Sequence, residues 1–532
     1  MPALLSVLAS LSLIDFFNIL FILLIFYVLR FYIDYFAREN PLPGPFPLPL
    51  IGSLYQAQGE MKHWENWYLH LHKKYGDIFE VWFGPTRKIF LSKSGLIEKL
   101  AAKSTKSNFL LRYSSGSYKG LEHYANPRRG MFFNGNISHW RSTRKVIDNL
   151  LMSPNYQRET LKKSQIYFAE MEEYWKLLRN DNALLLSAWA KNFLTDLMYD
   201  LNVGRRCYFM VKYFNSLANS GKKEIPTEEL NFCNDHEQAT SVIGEALIFF
   251  FTSPELVWRY LFAHRTQRYI QSRETWHRSY EKFIHQRLDQ RAQSGYDSKL
   301  KPDALNLLLD LKEESALNNK DNGGDNYRMD EEDIRDSLQE IMNASASTTA
   351  GVFGYIIEYI GRIPGVKEQV EKEIRDHASS KTNTINIEEF AQFKYIEAVI
   401  YEVLRVRSAF MIERTNTQEE TIGGYKWKPG TKFCVNIQPI HFNPDIWHDP
   451  NEFRPERFLN REIKNPKTYL SFGLGLRSCP GRLVGITILK AMTVLLYRKY
   501  NVELLDTDMP IKYQNKFANA CIGARVKLTP KK

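Results

Sequence analysis

The stretch FGLGLRSCPGR, Phe472 to Arg482, sets one cysteine among three glycines, two arginines and a proline. Pro480 suits the first position of a helix, and the apolar-periodic run GRLVGITILKAMTVLLYRKY follows, so Cys479 is expected at a helix N-cap. There the helix dipole and free backbone N–H groups stabilise a thiolate and lower its pKa, as a metal ligand requires. Gly473, Gly475 and Gly481 let the backbone turn tightly and lie against a flat object, and Arg477 carries the charge to neutralise an acidic group on it. A flat, acidic, metal-bearing partner of a single thiolate is haem. The competing reading is a buried structural cysteine in a glycine-rich turn.

The other cysteines, Cys207, Cys233, Cys434 and Cys521, are far apart and form no C-x-x-C pair, which argues against a zinc site or a disulfide framework and for a reducing compartment. A chain of 532 residues has room for several average domains, yet no linker or repeat interrupts the body, so one large globular unit is expected. Its 44% hydrophobic and 14% aromatic residues supply a sizeable core and suit a site for greasy ligands. The net charge of +11 is spread along the chain with no basic run interleaved with aromatics, which excludes nucleic acid as a partner.

From Leu4 to Leu29 the sequence is almost wholly apolar, densest in FFNILFILLIFYVLRFYI from Phe16 to Ile33. That is long enough for a membrane span and too long, with no basic leader or A-x-A exit, for a signal peptide. Arg30 and Arg38 follow the run and no Lys or Arg precedes it, so the body is expected in the cytoplasm. The expected organisation is an anchor and flank at 1–38, a proline-rich hinge at 39–52 with extended, semi-rigid backbone, and a body at 53–532.

The body reads as mainly α with a smaller β portion. EMEEYWKLLRN, Glu170 to Asn180, has the spacing of an amphipathic helix, and LNNKDNGGDNYRM, Leu317 to Met329, reads as a surface loop. Acidic residues 330–333 then open a helix whose apolar pattern runs from Ile334 to Ile356 and stops at Pro364, about 45 Å at 1.5 Å per residue, enough to cross a domain. A second helix is expected over Ile387 to Val406, and short strands within Gly423 to Ile440. Aromatic residues between Tyr208 and Arg273 are candidates to roof a pocket, although such stripes are more often core.

The full pattern F-x-x-G-x-R-x-C-x-G, met at Phe472, Gly475, Arg477, Cys479 and Gly481, resembles the haem loop of the cytochrome P450 family. The resemblance covers essentially the whole chain, with the motifs in family order. HWRSTR resembles the family's W-x-x-x-R, which implies Trp140 and Arg144 as haem-propionate partners, with Arg414 as a further one. EVLR matches E-x-x-R at Glu402 and Arg405, and FRPERF supplies Arg457, which implies a structural salt-bridged cluster. Where the family commonly has A-G-x-[D/E]-T-[T/S], this chain reads ASASTT, so Thr348 matches the hydroxyl that steers protons, while Ser347 replaces the acid and Ser345 the glycine. Such a Ser/Thr run in a helix can instead merely back-bond to earlier carbonyls. Ser408 stands where E-x-x-R-x-x-P has proline, and Gly485 and Ile488 where the family usually shows Ala and Glu.

The resemblance implies the P450 fold, a long central helix crossing haem b, Cys479 as axial iron ligand, and oxygen-dependent hydroxylation of a lipophilic substrate. It also implies electrons from an NADPH-cytochrome reductase, a b-type cytochrome as a second electron donor, and a single-pass location in the endoplasmic reticulum membrane. Two other readings stay open: a haem-thiolate isomerase or dehydratase of fatty-acid hydroperoxides, motivated by Ser345 and Ser347, and a non-catalytic membrane haem protein. The N-x-S/T sites at Asn136 and Asn343 are read as chance in a cytosolic body.

Overall fold

Five helices frame the molecule: α1 (Leu13–Phe36), α2 (Ile137–Met152), α3 (Glu331–Arg362), α4 (Lys394–Val406) and α5 (Arg482–Lys499). The computed structural model describes residues 12–57, 64–104, 106–112, 129–132, 134–178, 183–252, 257–293, 295–296, 303–318, 329–378, 384–408, 411–460, 465–515 and 519–531. Residues 1–11 of the expected anchor and 319–328 of the expected loop lie outside these. The fold is mainly helical with a smaller sheet portion, as expected.

The 32-residue helix α3 is set by its ends. The Asp330 side chain accepts from the Asp333 backbone N–H while the Asp333 side chain accepts from that of Asp330, a reciprocal capping box. Ile363, held extended ahead of Pro364, closes the other end. The middle of α3 lies so close to the strand Asn519–Cys521 that a Cβ at Gly351 would stand 2.4 Å from that of Ala520. α5 is buried from Val484 to Tyr497 except for half-buried Gly485, its buried Lys490 pairing with Glu397 at 3.1 Å, and it packs against Pro154–Leu177.

The expected single helix over Ile387 to Val406 is two helices, Ile387–Gln392 and α4, broken at Phe393. The first N–H groups of α4 are capped from another helix: Glu373 accepts from Tyr395 N at 2.6 Å and Ile396 N at 2.9 Å. A cap supplied across space leaves no local signature.

Four strands, β1 (Ile78–Phe83), β2 (Thr86–Leu91), β3 (Met411–Thr415) and β4 (Lys432–Asn436), form a sheet in the order β1-β2-β4-β3. β2 runs parallel to β4 with Phe90 opposite Cys434, and β3 antiparallel with Arg414 opposite Phe433. The proline-rich stretch packs on this sheet: Glu80 N donates to Pro43 O at 3.0 Å, and a Cβ on Gly44 would meet Glu80 O at 2.1 Å.

Of the aromatic residues expected to roof a pocket, Phe209, Phe214 and Phe232 are core. Their helix Phe209–Leu217 is started by Asp196, whose carboxylate accepts from Phe209 N and Met210 N at 3.0 and 2.9 Å. Burial raises the Asp196 carboxyl from 3.8 to about 7 despite these two donors. The folded protein therefore holds a proton that the unfolded chain has released, so this group's contribution is complete below pH 3.8 and is lost as pH rises through about 7. Urea titrations across that window should show Asp196→Asn flattening the decline in stability by about one proton; an unchanged slope would rule the group out as its source.

Candidate active site

The cysteine loop is closed by its own backbone. Cys479 N donates to Phe472 O at 2.7 Å, Ser478 N to Gly475 O at 3.2 Å, and Gly473 N to Leu470 O at 2.8 Å. Gly475 has φ +63°, and a Cβ there would stand 3.0 Å from Leu100 O, so glycine is required on both counts. Cys479 is not the N-cap of α5: its N–H is spent inside the loop, and Gly481 takes the N-cap position. Gly481 has an ordinary φ of −82° and no chain atom within 4 Å of a Cβ, and its N–H donates to the Cys479 sulfur.

Burial pushes the Cys479 thiol above its usual pKa, against the Gly481 N–H and the charges of Arg144 and Arg112, which pull it down. The expected thiolate-stabilising dipole is thus outweighed by desolvation. Cys479 nonetheless presents open surface, whereas Cys207, Cys233, Cys434 and Cys521 are buried. A thiol with open surface that is still deep enough to be desolvated lies on the wall of an interior space.

Behind the loop stands a dry ionic cluster. Glu402 takes a two-pronged pair from Arg405, Nε and Nη2 each at 2.8 Å, and a third bond from Arg457 Nε at 3.2 Å. All three side chains are at most 1% exposed. The arginines spend their other donors on carbonyls: Arg405 on His441, Pro450 and Glu452, Arg457 on His448, Asp449 and Glu452. His441 passes this frame to the loop. Its Nε2 accepts from Leu470 N at 2.8 Å, so Nδ1 carries the proton and donates to Arg405 O at 3.0 Å. Burial holds the ring neutral, with its pKa down at about 3. Ser471 Oγ donating to Leu404 O and Tyr469 Oη to Tyr401 O bind the loop to α4 directly.

On the other side four arginines gather. Arg477, 1% exposed, donates to the carbonyls of Leu110 and Met131 at 2.9 Å and of Asn134 at 2.5 Å, and lies 3.9 Å over the Trp140 ring. Arg112 donates to the Arg477 carbonyl at 2.9 Å, and Arg414 to the Leu474 carbonyl at 3.1 Å. Arg144 pairs through Nε with Asp148 at 2.7 Å, one turn along α2. Burial, then Arg112 and Arg414, push the Arg477 pKa down to about 8, which Glu340 offsets in part. Since an arginine keeps its proton in proteins, that push measures how strongly the cluster favours an anion. Trp140 Nε1 is buried with no hydrogen-bond partner among the described residues.

One face of α3 is also open. Its flanks, 334–342 and 350–357, are mostly buried, yet Ala344 and Ser347 between them are exposed and Thr348 is half-buried, the spacing of one helical face. The Thr348 hydroxyl donates to Ala344 O at 2.5 Å, with Ser345 O at 3.2 Å, so it back-bonds to its own helix.

The structure thus brings Trp140, Arg144, Arg414 and Arg477 together around the Cys479 loop, and Arg477 acts mainly as a clamp on carbonyls. Arg112 joins them unforeseen, because a lone arginine outside any motif carries no signal. An open thiol, an orphaned indole N–H and convergent guanidinium groups suit a planar metal-bearing group with carboxylate edges, which is the chemistry of haem.

The family described as Cytochrome P450 matches residues 42–528. The steroid 17-alpha-hydroxylase/17,20 lyase of Papio cynocephalus is 25% identical over 476 residues, 86% of either chain. Its Homo sapiens counterpart is 25% identical over 474 residues with the same coverage. The mitochondrial 1,25-dihydroxyvitamin D(3) 24-hydroxylase of Mus musculus is 25% identical over 478 residues, 88% of this chain and 84% of that one.

Proposed function

The chain belongs to the cytochrome P450 family, and from that premise we propose that it is a membrane-anchored haem-thiolate monooxygenase, with Cys479 ligating the iron of haem b. The observation that carries the reading is the open Cys479 thiol on the interior wall, faced by the arginine cluster and the free Trp140 N–H. When bound, the haem supplies oxygen activation and insertion of one oxygen atom into a lipophilic substrate. Trp140, Arg144, Arg414 and Arg112 would hold its propionates, Arg477 adds charge while clamping the carbonyls of Leu110, Met131 and Asn134, and Phe472, Gly475 and Gly481 shape the cysteine loop.

Thr348 Oγ1, donating to Ala344 O, is left as an acceptor for a water proton, and Ser347 adds a neutral hydroxyl in place of an acid. Proton delivery through this pair runs by way of water. Residues 1–38 serve as anchor and flank, 39–52 as hinge and 53–532 as catalytic domain, in the endoplasmic reticulum membrane with the body cytosolic. The candidate substrates to try first are ring-bearing lipids, since the relatives are named for steroid and vitamin D hydroxylation. The electron source is an NADPH-cytochrome reductase, assisted by a b-type cytochrome.

The test is product formation from such lipids with NADPH, reductase and oxygen. The missing acid and the back-bonded Thr348 favour one second reading, a hydroperoxide isomerase. Conversion of a lipid hydroperoxide without reductase, and no NADPH-dependent product, would put that reading first. Trp140→Phe keeps an aromatic face under Arg477 and removes the orphan donor. A charge-assisted hydrogen bond of about 1.5–3 kcal/mol predicts haem transfer to apomyoglobin roughly tenfold to hundredfold faster; an unchanged rate would remove Trp140 from the propionate site.

A further inference from the structure

The carboxylate that α3 lacks at Ser347 recurs on the same side of the helix about three turns earlier, at Asp336. At about 100° per residue, Asn343 lies about 20° short of two full turns from Asp336, and Ser347 about 20° past three, so the three residues share one line along α3. With a rise of about 1.5 Å per residue, Asp336 to Asn343 spans about 10.5 Å and Asn343 to Ser347 about 6 Å. Two flanks wall this line in. On one, Gln339 hydrogen-bonds to His277 of the helix Ala263–Ala292, and His277 Nε2 stands 3.8 Å from Asp336 Oδ1. On the other, Glu340 accepts from Met131 N and, at 2.7 Å, from Phe132 N. At the outer end Arg335 joins Asp336 to Glu281, whose side chain is 44% exposed. At the inner end Ser347 lies exposed on the open face.

The line is polar, and two of its acceptors are unmatched. Asp336 is buried, and its Oδ2 and the Asn343 Oδ1 have no hydrogen-bond partner among the described residues. A carboxylate oxygen and an amide oxygen both accept, so neither satisfies the other and a donor has to come between. Each left unpaired would cost about 1–3 kcal/mol. Water is the donor that fits, since buried waters settle where roughly two to four polar groups converge. Burial raises the Asp336 carboxyl, against the pull of Arg335, and holds the His277 ring neutral with its pKa down at about 3. A neutral imidazole lends this flank hydrogen bonds without a competing charge.

We propose that Asp336, Asn343 and Ser347 line a file of internal water that carries protons from the mouth at Glu281 and Arg335 to Ser347, where α3 has no acid of its own. Asp336 and Asn343 are positioning residues: they hold the water, and the water moves the proton. Each water passes one proton inward and takes one from behind, so every proton delivered is replaced from bulk solvent and the file re-forms. Oxygen insertion consumes what arrives, because the second atom of O2 leaves as water and takes up two protons. The inference rests on the monooxygenase reading above and supplies its proton source.

The test compares full-length holoprotein, parent and Asn343→Leu, which keeps the volume and removes the acceptor. Crystal structures read the water, and product per NADPH with reductase and a steroid, in H2O and in D2O, reads its use. The expected result is ordered water on Asn343 Oδ1 and Asp336 Oδ2 of the parent. In Asn343→Leu that water is lost, product per NADPH falls on the order of tenfold with peroxide rising to match, and the deuterium effect grows; a direct proton donor would cost roughly 10²- to 10⁴-fold. Asn343→Asp, which restores an acceptor at the same place, should recover the coupling, as it would not if the leucine variant were merely misfolded. A dry Asn343 Oδ1 in the parent, or an Asn343→Leu variant that couples like the parent, would overturn the water file and leave the monooxygenase reading standing. No NADPH-dependent product from the parent would overturn that reading, and the file with it.

Discussion

Replacing Cys479 with serine is expected to abolish the red-shifted Soret band of the reduced, carbon-monoxide-bound protein, and with it all reductase-dependent oxygenation, while the polypeptide stays folded. The thiol is the one cysteine sulfur with open surface among the described residues. A serine oxygen still accepts the Gly481 N–H, so the loop closure by Cys479 N and Phe472 O is untouched. What is lost is an ionisable, soft ligand: burial already raises the thiol, and an alcohol is far harder to ionise. The comparison is the carbon-monoxide difference spectrum of parent and variant beside their near-ultraviolet circular dichroism. A parent-like band in the serine variant would show that the iron is held elsewhere and remove the foundation of the proposed chemistry.

Glu402→Ala should destabilise the body by about 3–5 kcal/mol, because it leaves two buried guanidinium groups without their carboxylate. Arg405 and Arg457 keep their carbonyl partners, yet these carry no charge, and the arginines cannot shed their protons to relieve the cost. The damage travels by a traceable route. Arg405 O accepts from His441 Nδ1, and His441 Nε2 holds Leu470 N at the start of the cysteine loop. Loss of haem on mild heating should therefore precede loss of helix in the variant. Glu402→Gln, which keeps the shape and one acceptor, should fall between the two. A melting temperature for Glu402→Ala equal to the parent's would mean the cluster is held by its carbonyl contacts alone.

The parts legible in the sequence were those whose cause is local. Asp330 and Asp333 announce the start of α3 and Pro364 its end, so both limits are close to the structure. Glu402 and Arg405 lie three apart on one helical face, and that spacing alone puts them in contact. The cysteine motif located the loop but misplaced the helix start by two residues, because the pull of Phe472 O on Cys479 N is a tertiary choice that Cys-Pro-Gly does not encode. The break at Phe393 escaped for the same reason, its cap being Glu373 on a neighbouring helix. Arg112, His441 and the packing of the hinge on β1 rest on partners dozens to hundreds of residues away.

The Arg477 clamp also orders events during synthesis. Its three carbonyl partners precede it by 367, 346 and 343 residues. At about 5–20 residues per second, segment 110–134 leaves the ribosome roughly 20–70 s before the arginine that fastens it. On the anchor reading proposed above, α1 already holds the nascent chain at the membrane during that interval, with the arginine cluster around the Cys479 loop still incomplete. On the same reading haem capture falls late, on a nearly finished chain already held at the membrane, and a shortage of haem would be felt by chains that can neither diffuse away nor close.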